Sequence, residues 1–288
     1  MNDFLTYEEW NKKADSHEEE LFSLVGDWNK ARKNAEKHPV IDFLFRYFSF
    51  PFNRLKAWTP GIGVNLEGPM NKKLSSHRFE EIDGVLKIKE NIFPHHRKKY
   101  LSWTVSLLEK TISNPPCFNC YGLHEWAMVY KADKVRHEYT RLRLSDEEIC
   151  QIVEEKELSC THYDALRFYT PEAVPLNRFS PSRETQEDFE QSACLHASMD
   201  LYKWAYKMYP FINTELLMAC FKLALDCRTV DMKASPYDLK DLGYSPIKIE
   251  TFEGREEYVK EQVRLKKAAD PLRWQLLDTY KNLLDLCV

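Results

Sequence analysis

Three short stretches of the chain each place a histidine close to a carboxylate. The pairs are His196 with Asp200, His162 with Asp164 and His124 with Glu125. The apolar spacing of residues 194–210 predicts a helix, which puts His196 and Asp200 on one face because residues four apart stack along a helix. Burying a polar pair at the margin of an apolar face costs free energy unless its polar atoms are hydrogen-bonded. We therefore predict that the three stretches form the walls of one site.

One chemistry open to such a site is metal binding. Histidine nitrogens and carboxylate oxygens are ligands that non-haem iron, manganese and zinc take in proteins. The predicted ligands are His124, His162 and His196, with Glu125, Asp164 or Asp200. No pair of them has the spacing of a known metal motif such as H-E-x-x-H. The metal prediction therefore depends on the three stretches coming together.

Cysteines accompany the same histidines. Cys117 and Cys120 precede His124, and Cys160 and Cys194 each precede a histidine by two residues. A zinc ribbon requires a second closely spaced cysteine pair, and the chain has none. Structural zinc is therefore an alternative, and ordinary buried cysteines are the default expectation.

The other chemistry is acid–base catalysis without a metal, by a carboxylate that a neighbouring histidine tunes. Hydrolysis of an N-glycosidic bond needs such a carboxylate, together with aromatic rings that hold the base. The predicted catalytic residues are Glu125, Asp164 and Asp200. The predicted substrate-binding residues are Trp126, Tyr130, Tyr163, Arg167, Arg178, Arg183 and Lys203. The alternative for each carboxylate is a place on a helix surface with aromatic core residues behind it.

Two roles are open to Asp200. One turn along from His196, it is expected to fix the orientation and tautomer of that imidazole. The alternative is an exposed contact with a neighbour such as Lys203, which contributes at most about 1 kcal/mol.

The composition favours a helical protein. Of 288 residues only 8 are glycine, which argues against glycine-rich phosphate loops and many-stranded barrels with tight turns. We predict a mainly α fold, a helical bundle-like single domain with one or two small β elements. The 41 basic and 45 acidic residues give a net charge of −4, unlike proteins that hold nucleic acid mainly by phosphate neutralisation.

Local signals outline the elements. A capping box at Thr6 begins a long amphipathic helix that ends before Pro39, and residues 79–89 predict a small β-hairpin. A proline pair is the best domain boundary. It separates an N-terminal helical part, 1–114, from a part that carries the site, 115–288, with one continuous domain as the alternative.

The apolar stripe of the N-terminal helix has two interpretations. It forms a dimerising coiled coil, or it lies on the helix's own domain. The second is favoured, because alanines and His17 in the stripe make a weak zipper seam.

Three expectations concern the C-terminal third. Ser235-Pro236 is expected to start a short helix. Residues 247–252 are expected to form a strand, and Asp270-Pro271 to separate two helices.

The protein is expected to be cytoplasmic and to have no membrane partner. The N-terminal residues MNDFLTYEEW are polar and acidic, where a signal peptide needs a basic region and an apolar run. No apolar run approaches the roughly 20 residues of a membrane span. Without a secretory signal, the eight cysteines are expected to stay reduced.

Four longer strings resemble a known family. They are residues 36–45 (EKHPVIDFLF), 121–130 (YGLHEWAMVY), 194–205 (CLHASMDLYKWA) and 231–239 (DM-x-ASPYDL). Spread over nearly the whole chain, these strings resemble a bacterial family, common in actinobacteria, whose members are labelled 3-methyladenine DNA glycosylase. The resemblance implies hydrolysis of the N-glycosidic bond of an alkylated purine in DNA. It assigns no catalytic residues to this chain.

Three functions are therefore open. The leading one is the glycosylase-type hydrolysis that the family label implies. The second is a metal-dependent enzyme, an oxidoreductase or a hydrolase, that acts on a small molecule. The third is a non-catalytic helical interaction protein. Net charge favours the second over the first, and the resemblance reverses that order.

If the protein is a glycosylase, it should bind DNA with an affinity that falls steeply with salt, because each neutralised phosphate releases counterions. The contacts are expected at Arg97, Lys98 and Lys99, or at the loop that carries Arg178 and Arg183. Fluorescence anisotropy of a labelled duplex over a salt series measures this affinity. Absence of binding at low salt would contradict DNA as the substrate.

Overall fold

The fold is mainly α with a small sheet, as the composition predicts. The structure is a computed structural model, and it describes residues 3–287. Over this range 55% of the chain is helical, in eleven α-helices and four short 3₁₀ helices. The helices are α1 Tyr7–Lys33, α2 Ile41–Arg46, α3 Phe52–Lys56, α4 Lys98–Ser113, α5 Leu123–Ala127, α6 Asp146–Glu155, α7 Tyr163–Leu166, α8 Gln186–Phe189, α9 Leu195–Lys207, α10 Thr214–Ala234 and α11 Phe252–Asp285.

The sheet has four short strands in the described part of the chain. They are β1 Asp3–Leu5, β2 Val64–Glu67, β3 Phe79–Ile82 and β4 Val85–Ile88, in the order β1-β2-β4-β3. β1 and β2 are parallel, and the other pairs are antiparallel. The predicted hairpin is confirmed: Asp83 and Gly84 both have positive φ, as a two-residue hairpin turn requires. Leu66 and Leu86 pair across β2 and β4 and are buried.

The chain divides into two compact units, and each consists of several segments. The first unit is Met1–Val105, Leu201–Lys222 and Trp274–Val288. The second is Ser106–Asp200 and Leu223–Arg273. This division differs from the predicted boundary at residue 114. Every boundary between the units falls inside a helix, in α4, α9, α10 or α11, so no loop or linker marks it in the sequence.

The N-terminal helix follows its predicted limits. Both hydrogen bonds of the capping box join Thr6 and Glu9, and the helix ends at Lys33. The apolar stripe is buried within the chain itself, through Trp10, Ala14, His17, Leu21 and Trp28. His17 Nε2 lies 2.8 Å from the carbonyl oxygen of Leu55 in the same unit. This burial agrees with a helix that lies on its own unit, and a dimer through α1 stays a prediction.

Three local expectations in the C-terminal third are wrong. Residues 247–251 are irregular, with a turn at 249 and 250, and do not form a strand. Ser235-Pro236 does not start a helix; the Ser235 hydroxyl donates to the Met232 carbonyl oxygen and forms a turn after α10. Asp270-Pro271 lies inside the continuous helix α11. The Asp270 carboxylate bonds Lys266 on one side of the proline and Arg273 on the other, which supports the helix where a backbone N–H is missing.

Within residues 3–287, none of the helices combines the length and the hydropathy that a membrane span requires.

Gly122 sets the start of α5, the short helix that carries His124. Its φ is +74°, and a Cβ there would lie 3.2 Å from Ala234 Cβ and from a ring carbon of Tyr258. We expect Gly122→Ala to lower the free energy of unfolding by about 2–4 kcal/mol, from the left-handed backbone and from overpacking.

Gly84 provides a matched control for this substitution. Its φ is +77°, but a Cβ at this position would have no neighbouring atom within 4 Å. Gly84→Ala should therefore lower the free energy of unfolding by only about 1–2 kcal/mol, because the left-handed backbone is its only source of strain. Urea unfolding of both variants measures the difference. Equal losses would contradict the close packing at Gly122.

Candidate metal centre

The three histidines singled out in the sequence lie together in the second unit. The ring centroids of His124 and His196 are 4.5 Å apart, at an interplanar angle of 75°. Those of His162 and His196 are 5.2 Å apart, and these two rings are stacked at 20°. All three side chains are buried. The expected convergence is therefore confirmed, with His196 in the middle of the row.

Short helices position two of these rings. Gly122 ends the preceding turn in the left-handed region, so that α5 starts at Leu123 and presents His124 one residue later. The indole of Trp126 anchors α5 by donating to the carbonyl oxygen of Ala234 at 2.9 Å. His162 directly precedes α7, with extended backbone. The third ring, His196, is in the first turn of α9.

The first triad consists of His124, His196 and Asp231. One ligand atom from each residue lies within 4.8 Å of the other two. His124 Nε2 is 2.6 Å from Asp231 Oδ1, and Asp231 is fully buried. Two imidazoles with one carboxylate are the donor set of non-haem iron sites that keep open coordination positions.

The second triad consists of His162, Glu190 and Asp200, and it meets the same distance limit. His162 Nδ1 is 3.7 Å from Glu190 Oε1, and His162 Nε2 is 3.7 Å from Asp200 Oδ2. All three residues are buried. Gln186 Nε2 donates to Glu190 Oε2 at 2.9 Å. Asp200 therefore faces His162, whereas its position in the sequence predicts that it orients His196. Its burial excludes the alternative of an exposed contact.

A buried ion-pair network supports the first triad. Arg228 Nη1 donates to Glu125 Oε1 at 2.6 Å and to Asp231 Oδ2 at 2.7 Å. Asp231 thus holds Arg228 with one oxygen and His124 with the other. The catalytic role of Glu125 stays a prediction, and the structure gives this carboxylate a partner in the network. Charges buried in this way are tolerated because they are paired and hydrogen-bonded.

The buried network gives the two imidazoles of the first triad different pKa values. Burial alone would lower the pKa of His124, but the charge and the hydrogen bond of Asp231 outweigh it and raise the pKa to about 9. Burial lowers the pKa of His196 well below its ordinary value, and the charge on His124 lowers it further. His196 is therefore a neutral imidazole at pH 7, with a lone pair for a ligand. His124 has to give up a proton before it can bind a metal.

Other predicted site residues lie outside the two triads. Asp164 Oδ1 is 3.1 Å from Arg167 Nη1, and the Asp164 side chain is 21% exposed. The guanidinium of Arg167 also lies over the ring of Tyr163. Tyr130 donates its hydroxyl hydrogen to Glu154. These contacts are local, and they do not bring the residues to the histidine row.

The three remaining basic side chains are also elsewhere. Arg178 makes an exposed pair with Glu157 at 3.4 Å, and Arg183 is exposed. Lys203 belongs to the first unit, where its ammonium group lies over the ring of Trp204. The roles of all three in substrate binding stay predictions.

Sequence reasoning missed three residues of the site: Glu190, Arg228 and Asp231. Arg228 and Asp231 are three apart in α10, whose other residues are mostly apolar and buried. Charged residues of opposite sign within such a helix are a signal of a buried pair. Glu190 follows α8 in a charged segment, and no pattern there distinguishes it from a surface residue.

Comparison of the chain with protein-family models, with curated proteins and with solved structures finds no match. The geometry of the two triads therefore carries the functional argument.

Arg228 should be essential for stability. Arg228→Met leaves the buried carboxylate of Glu125 without its cation and that of Asp231 with His124 alone, and we expect the free energy of unfolding to fall by about 3–5 kcal/mol. Arg264→Met is the control, because Arg264 pairs with Asp226 at the surface and this pair contributes at most about 1 kcal/mol. Denaturant unfolding of the two variants measures both losses. Similar losses would contradict the central place of the buried network.

Proposed function

We propose that the protein is a metal-dependent enzyme that acts on a small molecule, with its metal at the two triads. The observation that carries this proposal is the row of three contacting histidines with buried carboxylates at both ends. Core histidines with a structural role need one or two hydrogen-bond partners each. Two adjacent groups of three ligand atoms are more than these histidines need for hydrogen bonding. Their nitrogen and oxygen atoms are the kinds of ligand that bind a metal ion in proteins.

Iron and manganese fit the donors better than softer metals. Both triads offer only imidazole nitrogen and carboxylate oxygen. Two histidines with one carboxylate leave coordination positions open for a substrate or a small reactant. Zinc accepts the same donors, and it stays the alternative for this site.

Electrostatics supports a cation in the second triad. Glu190 and Asp200 bring two carboxylates to one imidazole, and all three are buried. Carboxylates that share a buried site repel each other. The buried guanidinium of Arg273 interacts with Glu190, and a divalent cation would offset the repulsion further.

The two triads are close enough to work as one centre, because His196 of the first stacks on His162 of the second. In two-metal sites, the ions stabilise the attacking and the leaving groups of one reaction. A bound metal supplies Lewis acidity here, and the protein supplies ligand geometry through the helices that carry the histidines. Arg228 binds the oxygen of Asp231 that His124 does not bind.

The glycosylase activity implied by the family resemblance stays a separate prediction. Asp164, one of the three candidate catalytic carboxylates, is paired locally with Arg167, and the loop residue Arg178 is paired with Glu157. These contacts do not favour DNA over a small molecule. The salt dependence of DNA binding described above decides between the two. We also place the enzyme in the cytoplasm, which its eight free thiols support.

Metal analysis tests the proposal directly. Protein purified without chelators should contain a transition metal that inductively coupled plasma mass spectrometry detects. His196→Ala removes a ligand from the first triad, and Asp200→Asn weakens one in the second; each should lower metal affinity at least about 10-fold. The helical signal in circular dichroism should persist in both.

Asp164→Asn is the matched control, because Asp164 is a carboxylate of the same region that belongs to neither triad. This variant should retain the full metal content. A folded protein that binds neither iron, manganese nor zinc when these are added would contradict the metal centre.

A further inference from the structure

A small cavity lies beside the first triad. His124 and His196 line it, and so do Cys120, Cys160 and Gln262. The space inside is about 10 Å³, which is room for one molecule the size of water. All its lining residues belong to the second unit. We call this space the triad cavity. A molecule inside it is next to two of the three ligand residues of the first triad.

Gln262 brings a hydrogen-bond acceptor to this cavity. It lies on α11 and is 1% exposed. Its Nε2 donates to the carbonyl oxygen of Ala193 at 3.2 Å, which fixes the orientation of the amide, because the reverse orientation would place two oxygens together. Its Oε1 accepts no hydrogen bond from any described residue. A buried amide oxygen without a donor costs about 1–3 kcal/mol, so such oxygens are normally satisfied by water or by a ligand.

This acceptor determines which kind of molecule fits. The Oε1 atom of Gln262 has no hydrogen to donate, so its partner in the cavity must donate one. Water has such a hydrogen and dioxygen has none. A buried water also needs further polar partners, and Thr161 and Cys120 line the same cavity. Size and hydrogen bonding together therefore favour a single water molecule as the occupant.

We propose that Gln262 is a positioning residue that holds one water molecule in the triad cavity, and that this water is the reactant of a hydrolytic reaction at the first triad. The inference rests on the metal-dependent function proposed above. It narrows that function, because the sequence left an oxidoreductase and a hydrolase open. A site that binds water through an acceptor suits hydrolysis, whereas Gln262 gives dioxygen no hydrogen bond.

The hydrolytic step uses the water as a nucleophile. Its oxygen forms a bond to the electrophilic atom of the substrate, and the bond from that atom to the leaving group breaks with its electron pair. One proton of the water passes to the leaving group, and the other stays on the new hydroxyl group. No atom is oxidised or reduced. Gln262 accepts one hydrogen of the water and so turns an oxygen lone pair away from itself, which orients the attack.

Protein loaded with Mn²⁺ tests the role of Gln262 without a known substrate. The full chain is stripped with a chelator, loaded with Mn²⁺ and transferred into water enriched in the magnetic isotope of oxygen. The broadening of the Mn²⁺ electron paramagnetic resonance then reports how many water molecules are bound at the ion. We expect one water fewer per ion in Gln262→Met than in the wild-type protein, because methionine has a similar size and lacks the acceptor oxygen.

Gln151→Met is the matched control. Gln151 lies on α6, where its amide donates to Glu155 at the surface, and it does not line the cavity. This variant should bind as many waters per ion as the wild-type protein. If Mn²⁺ binds and Gln262→Met also keeps every water, the role of Gln262 is wrong and the metal centre stands. Wild-type protein that binds no Mn²⁺ would contradict the metal centre itself, and the inference with it.

A crystal structure of the Mn²⁺-loaded wild-type protein needs no variant. We expect density for one water in the triad cavity, within hydrogen-bond distance of Gln262 Oε1. An empty cavity would overturn the inference. A water bonded to Gln262, together with an unchanged number of waters at the ion in Gln262→Met, would identify a structural water only and would overturn it as well.

Discussion

The bond between His124 and Asp231 is the interaction on which the rest of the site depends. It joins residues that are 107 positions apart, at 2.6 Å and without solvent contact. Such a contact is stable only while its charges stay paired, because removing one partner leaves an uncompensated buried charge. Arg228 completes the pairing by binding the second oxygen of Asp231 and the carboxylate of Glu125. Together these bonds fasten α5 to α10.

The histidine row follows from this attachment. Once α5 is fastened, the ring of His124 lies against His196, and His196 stacks on His162. The row then has a carboxylate of α10 at one end and Glu190 with Asp200 at the other. Cys120, Cys160 and Cys194 line a small cavity together with His124 and His196.

Local signals predict local structure well and fail where tertiary contacts override them. The capping box at Thr6 starts α1 as expected, and a second one at Ser145 starts α6, since the hydrogen bonds of both close within three residues. The hairpin turn at Asp83-Gly84 is local in the same way. Pro271 predicts a break between two helices, yet α11 continues through it. The side-chain bonds of Asp270 and the packing of the long helix outweigh the lost backbone bond, and no short sequence pattern indicates them.

The sequence by itself determined the mainly α class, the limits of the long N-terminal helix and the three histidines that meet. Those histidines could be found because each stands beside apolar residues in a stretch that has to be buried. Only the tertiary structure decided which carboxylates join them. Asp164 is near His162 in sequence but pairs with Arg167, whereas Asp231 is remote in sequence and binds His124. Nearness along the chain constrains contacts over one or two helical turns, and beyond that distance the packing of whole helices determines which side chains meet.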